Sequence, residues 1–133
     1  MTELDQIMRA RDLLDAAPVP TEGRFVWREG AMTTSSRNYR RYLRRLCQRL
    51  STVNIDYHDS PNLEAILRSR CRLALQRLLP NVTIDRVEAF LDPLTDRLLV
   101  RIFCGQRHIE LLDDPKTFPS RALLAKVVLF AQD

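Results

Sequence analysis

The chain has 133 residues, 45% of them apolar and 29% charged, with 21 lysines and arginines against 17 aspartates and glutamates and a formal net charge of +4. These proportions are those of a soluble globular domain with its own core, and they exclude disorder as the default. No apolar run reaches the roughly 20 residues that cross a bilayer, and the charged, helix-patterned start is unlike a secretory signal, so no membrane is expected and synthesis is expected in the cytoplasm.

Thr2 is placed to cap a first helix running to about Ala16, with Leu4, Ile7, Met8, Leu13 and Leu14 on its apolar side. Pro18 and Pro20 end it, Arg24 to Trp27 is a brief extended segment, and Gly30 to Thr34 reads as a mobile connector. Residues 1–34 are thus expected to form an N-terminal helix and connector arm ahead of one α+β domain over 35–133, whose last segment can join a neighbour.

Between Ser35 and Leu50 the helical period sorts the residues onto two faces of opposite chemistry, with no acidic residue on either. Tyr39, Tyr42, Leu43, Leu46, Cys47 and Leu50 form a packing stripe. Arg37, Arg40, Arg41, Arg44, Arg45 and Arg49 form a cationic face. From Arg37 to Arg77 the only acidic residues are Asp56, Asp59 and Glu64, and Lys116 and Lys126 are the only lysines in the chain. Guanidinium groups suit bidentate pairing with anions, which acidic partner proteins, phosphates or carboxylates of the same fold can each supply.

Ser51 to Asp59 reads as a turn or short strand. Asp59, Ser60 and Pro61 then make a helix start, because a capping oxygen precedes a proline whose missing amide is harmless there. The helix is expected from Pro61 to Leu79, burying Leu63, Ile66, Leu67, Cys71, Ala74, Leu75 and Leu78, with Arg68, Arg72 and Arg77 largely elsewhere. Pro80 stops it. Val82 and Ile84 alternate in one phase and Val87, Ala89 and Leu91 in the other, which predicts a bulge near Asp85 or Arg86. Asp92 to Asp96 is turn chemistry, Leu98, Val100 and Ile102 alternate with Leu99, Arg101 and Phe103, and Gly105-Gln106 suits a glycine-first hairpin returning through Arg107 to Leu112.

Asp113 to Pro119 is a proline-punctuated loop. Beyond it, Leu123, Leu124, Val127 and Phe130 make a helical stripe, while Lys126, Val127, Val128, Leu129 and Phe130 also read as a terminal strand. Helix is favoured through Ala125. The strand alternative stays open because a terminal strand can extend another chain's sheet, which makes Lys126 to Phe130 candidate partner-binding residues together with the six arginines. The fold class expected is α+β, with amphipathic helices packed on a small antiparallel β-meander.

Catalytic chemistry has no visible seat: there is no glycine-rich phosphate loop, no nucleophile, histidine and carboxylate pattern, and only three glycines. Cys47, Cys71 and Cys104 form no Cys-x-x-Cys pair and have only His58 and His108 as companions, so reduced buried thiols are expected rather than zinc, and no cofactor is expected. Tyr57-His58-Asp59 precedes a helix start and reads as capping and turn. Nucleic acid is the alternative partner, but Tyr39 and Tyr42 align with the leucines and not with the arginines, which removes them as stacking platforms.

The stretch from Asn62 to Cys104, a helix followed by Leu79-Pro80-Asn81-Val82-Thr83-Ile84-Asp85-Arg86-Val87 and a second strand ending Leu98-Leu99-Val100-Arg101-Ile102, resembles the baseplate wedge and sheath-initiator family of contractile phage tails and related injection machines. In that family a helix ends in Glu-Pro-Arg and leads into a strand of alternating aliphatics with a hairpin partner. Pro80, Val82, Ile84 and Val87 match in kind, Leu79 and Asn81 stand in place of the charged residues, and the family's glycine-proline segment before the helix is missing from Ser51 to Pro61. Separately, Leu13 to Trp27 resembles a short stretch of tailed-phage major coat proteins. The first resemblance implies a small virion structural subunit that binds at the baseplate and templates the first ring of tail sheath, partly by strand addition. Its expected partners are other tail subunits in a symmetric assembly and its expected location is the virion, after synthesis in a host cytoplasm.

Overall fold

A computed structural model of the chain describes residues 2–15, 19–21, 24–26, 36–51, 62–92 and 95–132. Among them lie four helices, α1 (Glu3–Asp15), α2 (Ser36–Leu50), α3 (Leu63–Leu78) and α4 (Arg121–Gln132). Strands β1 (Val19–Thr21) and β2 (Arg24–Val26) pair with each other, and β3 (Arg86–Asp92), β4 (Arg97–Cys104) and β5 (Arg107–Asp113) form an antiparallel meander in that order. The fold is α+β, with amphipathic helices on an antiparallel meander. The connector at 30–34, the segment 52–61 with Tyr57, His58, Asp59 and the expected cap at Ser60 and Pro61, and Trp27 lie outside the described residues.

Alternation decides how the sheet is covered. Val87, Ala89 and Leu91 of β3 stand beside Ile102, Val100 and Leu98 of β4, and Val100 in turn beside Leu111 of β5, so the middle of one face is apolar, with Asp113 and Arg107 at the two ends of β5 its charged positions. That face meets Leu43, Leu46, Cys47 and Leu50 of α2, Leu63, Leu67, Cys71, Ala74 and Leu75 of α3, and Leu123 and Val127 of α4 in one continuous core. The opposite face carries Phe90, Leu99 and Leu112, which pack with Ala10 and the half-buried Ile7 and Leu14 of α1. With helices on both faces, β3 is buried along nearly its whole length.

Thr2 starts α1 as expected, and reciprocally: its hydroxyl accepts the Asp5 N–H at 3.1 Å while its own N–H reaches Asp5 Oδ2 at 3.3 Å. The helix, expected as part of an arm, is docked on the back of the sheet. Arg9 Nε donates to Oδ2 of the fully buried Asp92 at 3.0 Å, and Arg11 approaches Glu110 at 3.6 Å. Neither partner is local in sequence. Pro20, expected only to end the helix, is paired with Phe25 in the β1–β2 ribbon.

Three local expectations are corrected. The third helix begins at Leu63, with Asn62 at its N-cap. The phase change at Asp85 is not a bulge, because residues 82–84 are not strand at all and β3 begins at Arg86. Gln76 of α3 holds that segment instead: its Nε2 donates to the carbonyls of Leu79 and Val82, its Oε1 accepts the Ile84 N–H, and Arg72 Nε donates to the Ile84 carbonyl. Ile84 is thereby pressed into the core. Finally, Lys126 to Phe130 are helical, so the terminal strand is not the conformation this segment adopts; Leu123 and Val127, one turn apart, are the buried pair that sets the helical period.

Candidate interaction surface

The arginine helix forms because its apolar residues recur at the helical period and the sheet offers them a matching face. Leu43, Leu46, Cys47 and Leu50 are buried, Tyr42 is half-buried, and Arg41, Arg45 and Arg49 are exposed, with Arg40 and Arg44 between. Nothing is described of the side chains of Arg37 and Tyr39. Arg37, Arg41, Arg45 and Arg49 follow one another at four-residue intervals, and Arg40 and Arg44 form a second such pair. Like charges at this spacing repel by about 0.2–0.5 kcal/mol per pair, so the isolated helix carries a penalty that an anionic neighbour removes.

The six arginines do not share one role. Arg49 forks into its own fold, Nη2 donating to the Pro115 carbonyl at 2.6 Å and Nη1 to the Phe118 carbonyl at 3.1 Å. It ties α2 to the loop between β5 and α4. Arg40 is not free either: it lies close enough to help hold down the pKa of Glu64, which burial raises. Arg41, Arg44 and Arg45 make no hydrogen bond or ion pair to a described residue, and Arg41 and Arg45 point into solvent. Arg49→Ala is expected to lower stability by about 1–2 kcal/mol, because charge-assisted bonds are lost at a partly exposed site. Thermal unfolding of the variant beside Arg45→Ala, which should move Tm little, checks that division.

Tyr42 closes one side of this surface. Its hydroxyl donates to Asp96 Oδ1 at 2.7 Å, anchoring α2 to the β3–β4 turn, where Asp96 takes a left-handed φ of 54°. Burial, then the Asp96 hydrogen bond, raises the phenol to about 12, so it stays neutral. Tyr42, Arg45, Leu46, Arg49, Pro115 and Lys116 line an open cleft of about 220 Å³. The loop that forms its other wall is rigidly built: Asp114 Oδ1 accepts the Lys116 N–H, Asp113 Oδ2 accepts the Ser120 N–H, and the Ser120 hydroxyl accepts the Leu123 N–H to start α4.

The carboxy-terminal candidates divide by face. Val127 is fully buried and unavailable to a partner, Val128 and Phe130 are half-buried, and Lys126 and Leu129 are exposed. The Arg107 guanidinium lies 4.6 Å from the Phe130 ring centre and donates to the Phe130 carbonyl at 3.1 Å, so the end of α4 is clamped to the β4–β5 hairpin.

One polar constellation escapes composition and motif reading. On the sheet face beside α1, Arg101 donates to Glu88 at 2.9 Å and to Glu110 at 3.3 Å, across all three strands. Next to it Arg86 lies 4.1 Å over the Phe103 ring, which stacks obliquely on His108. Charges balance within this ladder, which makes it a fastening of the sheet. Cys47 and Cys71 are buried thiols raised by desolvation, Cys47 to about 12, and the half-buried Cys104 is raised by desolvation and then by Asp85. Among the described residues no group of three or more histidines, cysteines or carboxylates is placed to hold a metal ion, and no helix is long and apolar enough to cross a membrane. Comparison with known proteins finds no matching family model, no matching curated protein and no matching solved structure.

Proposed function

We propose that this protein is an assembly subunit of a virion, in the baseplate or sheath-initiating position of a contractile tail, and that the outer side of α2 is where it joins acidic surface on neighbouring subunits. The observation that carries the reading is the row of mutually repelling arginines, of which Arg41, Arg44 and Arg45 have no partner among the described residues. An interface is the place where such a row becomes favourable, since opposite potentials then guide docking and fix register. The resemblance of residues 62–104 to the baseplate wedge family supports the particular kind of assembly. Its work is positioning, and the side chains named above hold or present surfaces.

The double substitution Arg41→Glu and Arg45→Glu tests the reading. Both side chains are exposed and reversal relieves repulsion along the helix, so the purified protein should keep its Tm within a few degrees. Incorporation into the assembled particle, followed by gradient sedimentation and immunoblotting, should fall by about tenfold or more, as opposed charges become like charges across the interface. Undiminished incorporation contradicts the proposal.

Binding to nucleic acid is the second reading, favoured by the rise of about 6 Å between successive arginines of a row, which suits successive phosphates. Titration of a single-stranded oligonucleotide at several salt concentrations separates the two. We expect weak, nonspecific retention, with a dissociation constant no tighter than about 1–100 μM at physiological salt. Nanomolar affinity, falling linearly with the logarithm of salt, would put the second reading first.

A further inference from the structure

We infer that the cleft between α2 and the β5–α4 loop seats a large apolar side chain from an acidic segment of a neighbouring subunit. The inference rests on the assembly reading and names the partner chemistry of the same surface. At about 220 Å³ the cleft is smaller than the roughly 300–1,000 Å³ of ordinary small-molecule pockets, and suits one side chain. Its floor is apolar, made by Leu46, Pro115 and the ring of Tyr42, whose hydroxyl is already committed to Asp96.

Its rim is cationic. Arg45 and Lys116 are exposed and make no ion pair with a described carboxylate. Arg49 bonds only to neutral carbonyls, which fix its position and leave its charge uncompensated. The two neighbouring carboxylates, Asp96 and Asp114, bond only to neutral donors, the Tyr42 hydroxyl and the Lys116 N–H, and keep their charge, so the cations of Arg45, Arg49 and Lys116 outnumber them by one. An apolar floor inside a cationic rim complements a peptide that carries carboxylates on both sides of a large apolar residue. A phosphate backbone satisfies the rim and leaves the floor unused.

Fluorescence anisotropy with the full chain tests this, using a fluorescein-labelled peptide of glutamates and aspartates around one phenylalanine and the same peptide with alanine at that place. The phenylalanine peptide is expected to bind about fivefold or more tightly than the alanine peptide, the gain that burying one aromatic ring supplies. Arg45→Glu with Lys116→Glu should weaken its binding about tenfold, whereas Arg68→Glu, on α3 and outside the cleft lining, should change it less than about twofold. Circular dichroism of each variant excludes unfolding as the cause. Equal binding of the two peptides, equal loss with Arg68→Glu, or stronger retention of a single-stranded oligonucleotide at the same salt would each overturn the inference. These outcomes are separate from the fate of the assembly reading: a complex that still depends on Arg41 and Arg45 while both peptides bind alike removes the cleft and keeps the interface.

Discussion

Truncation after Arg121 is expected to unfold the protein, and not merely to detach it from a neighbour. The deletion removes Leu123 and Val127, both buried in the core shared by α2, α3 and the sheet, and the Phe130 contact that receives Arg107. Burial of a large aliphatic side chain is worth about 1.5–3 kcal/mol, so the two together represent about 3–6 kcal/mol. A domain of this size has only about 5–15 kcal/mol in total. Urea titration followed by circular dichroism should therefore show a truncated chain with little or no cooperative transition at room temperature. A truncated chain that melts like the intact one would mean that α4 is dispensable to the core and available to a partner. The milder substitution Leu129→Glu, on the exposed side of α4, should leave the transition in place.

The second large effect is expected at Phe118. This ring is 1% exposed and sits in the loop between β5 and α4, while its backbone carbonyl receives Arg49 from α2. Phe118→Ala opens a cavity in the main core and loosens the wall of the cleft beside Pro115 and Lys116. Substitutions of this kind cost about 3–5 kcal/mol, the spread reflecting how far the site collapses. Tm should fall by more than roughly 10 °C, measured by calorimetry. Phe118→Leu, which keeps much of the volume, should recover most of the loss. A fall as small as that expected of Arg49→Ala would show the loop to be held by its polar bonds and not by its ring.

Much of this architecture was legible because it is local. The period of α2 separates leucines from arginines over four turns, and burial follows it residue by residue from Arg40 to Leu50. Gly105, at φ +65°, and Gln106, which lacks positive φ, form the glycine-first hairpin that their order predicts. Once that turn is fixed, Arg101 must face Glu110, so the cross-strand ladder is legible from the register of the polar positions.

What escaped was decided at long range. Ile84 breaks the alternation because Gln76 and Arg72, on another element, hold its backbone outside the sheet. Val127 and Val128 suit a strand by type, yet tertiary burial of Leu123 and Val127 sets a helical period, and β-branching yields to packing. Arg45 and Arg49 are equivalent in any reading of the helix alone. Only the position of Pro115 and Phe118, more than sixty residues away, gives one to the fold and leaves the other at its surface.

We propose that this chain is a fixed component of a particle, held there through α2. Low-resolution electron microscopy of assembled particles, with the chain carrying a visible label at its amino terminus, tests that most directly. Label is expected at one symmetric tail position, and is expected to be lost when Arg41 and Arg45 are both changed to glutamate. Particles that assemble complete without the chain, or label scattered on free protein or packaged nucleic acid, would contradict it.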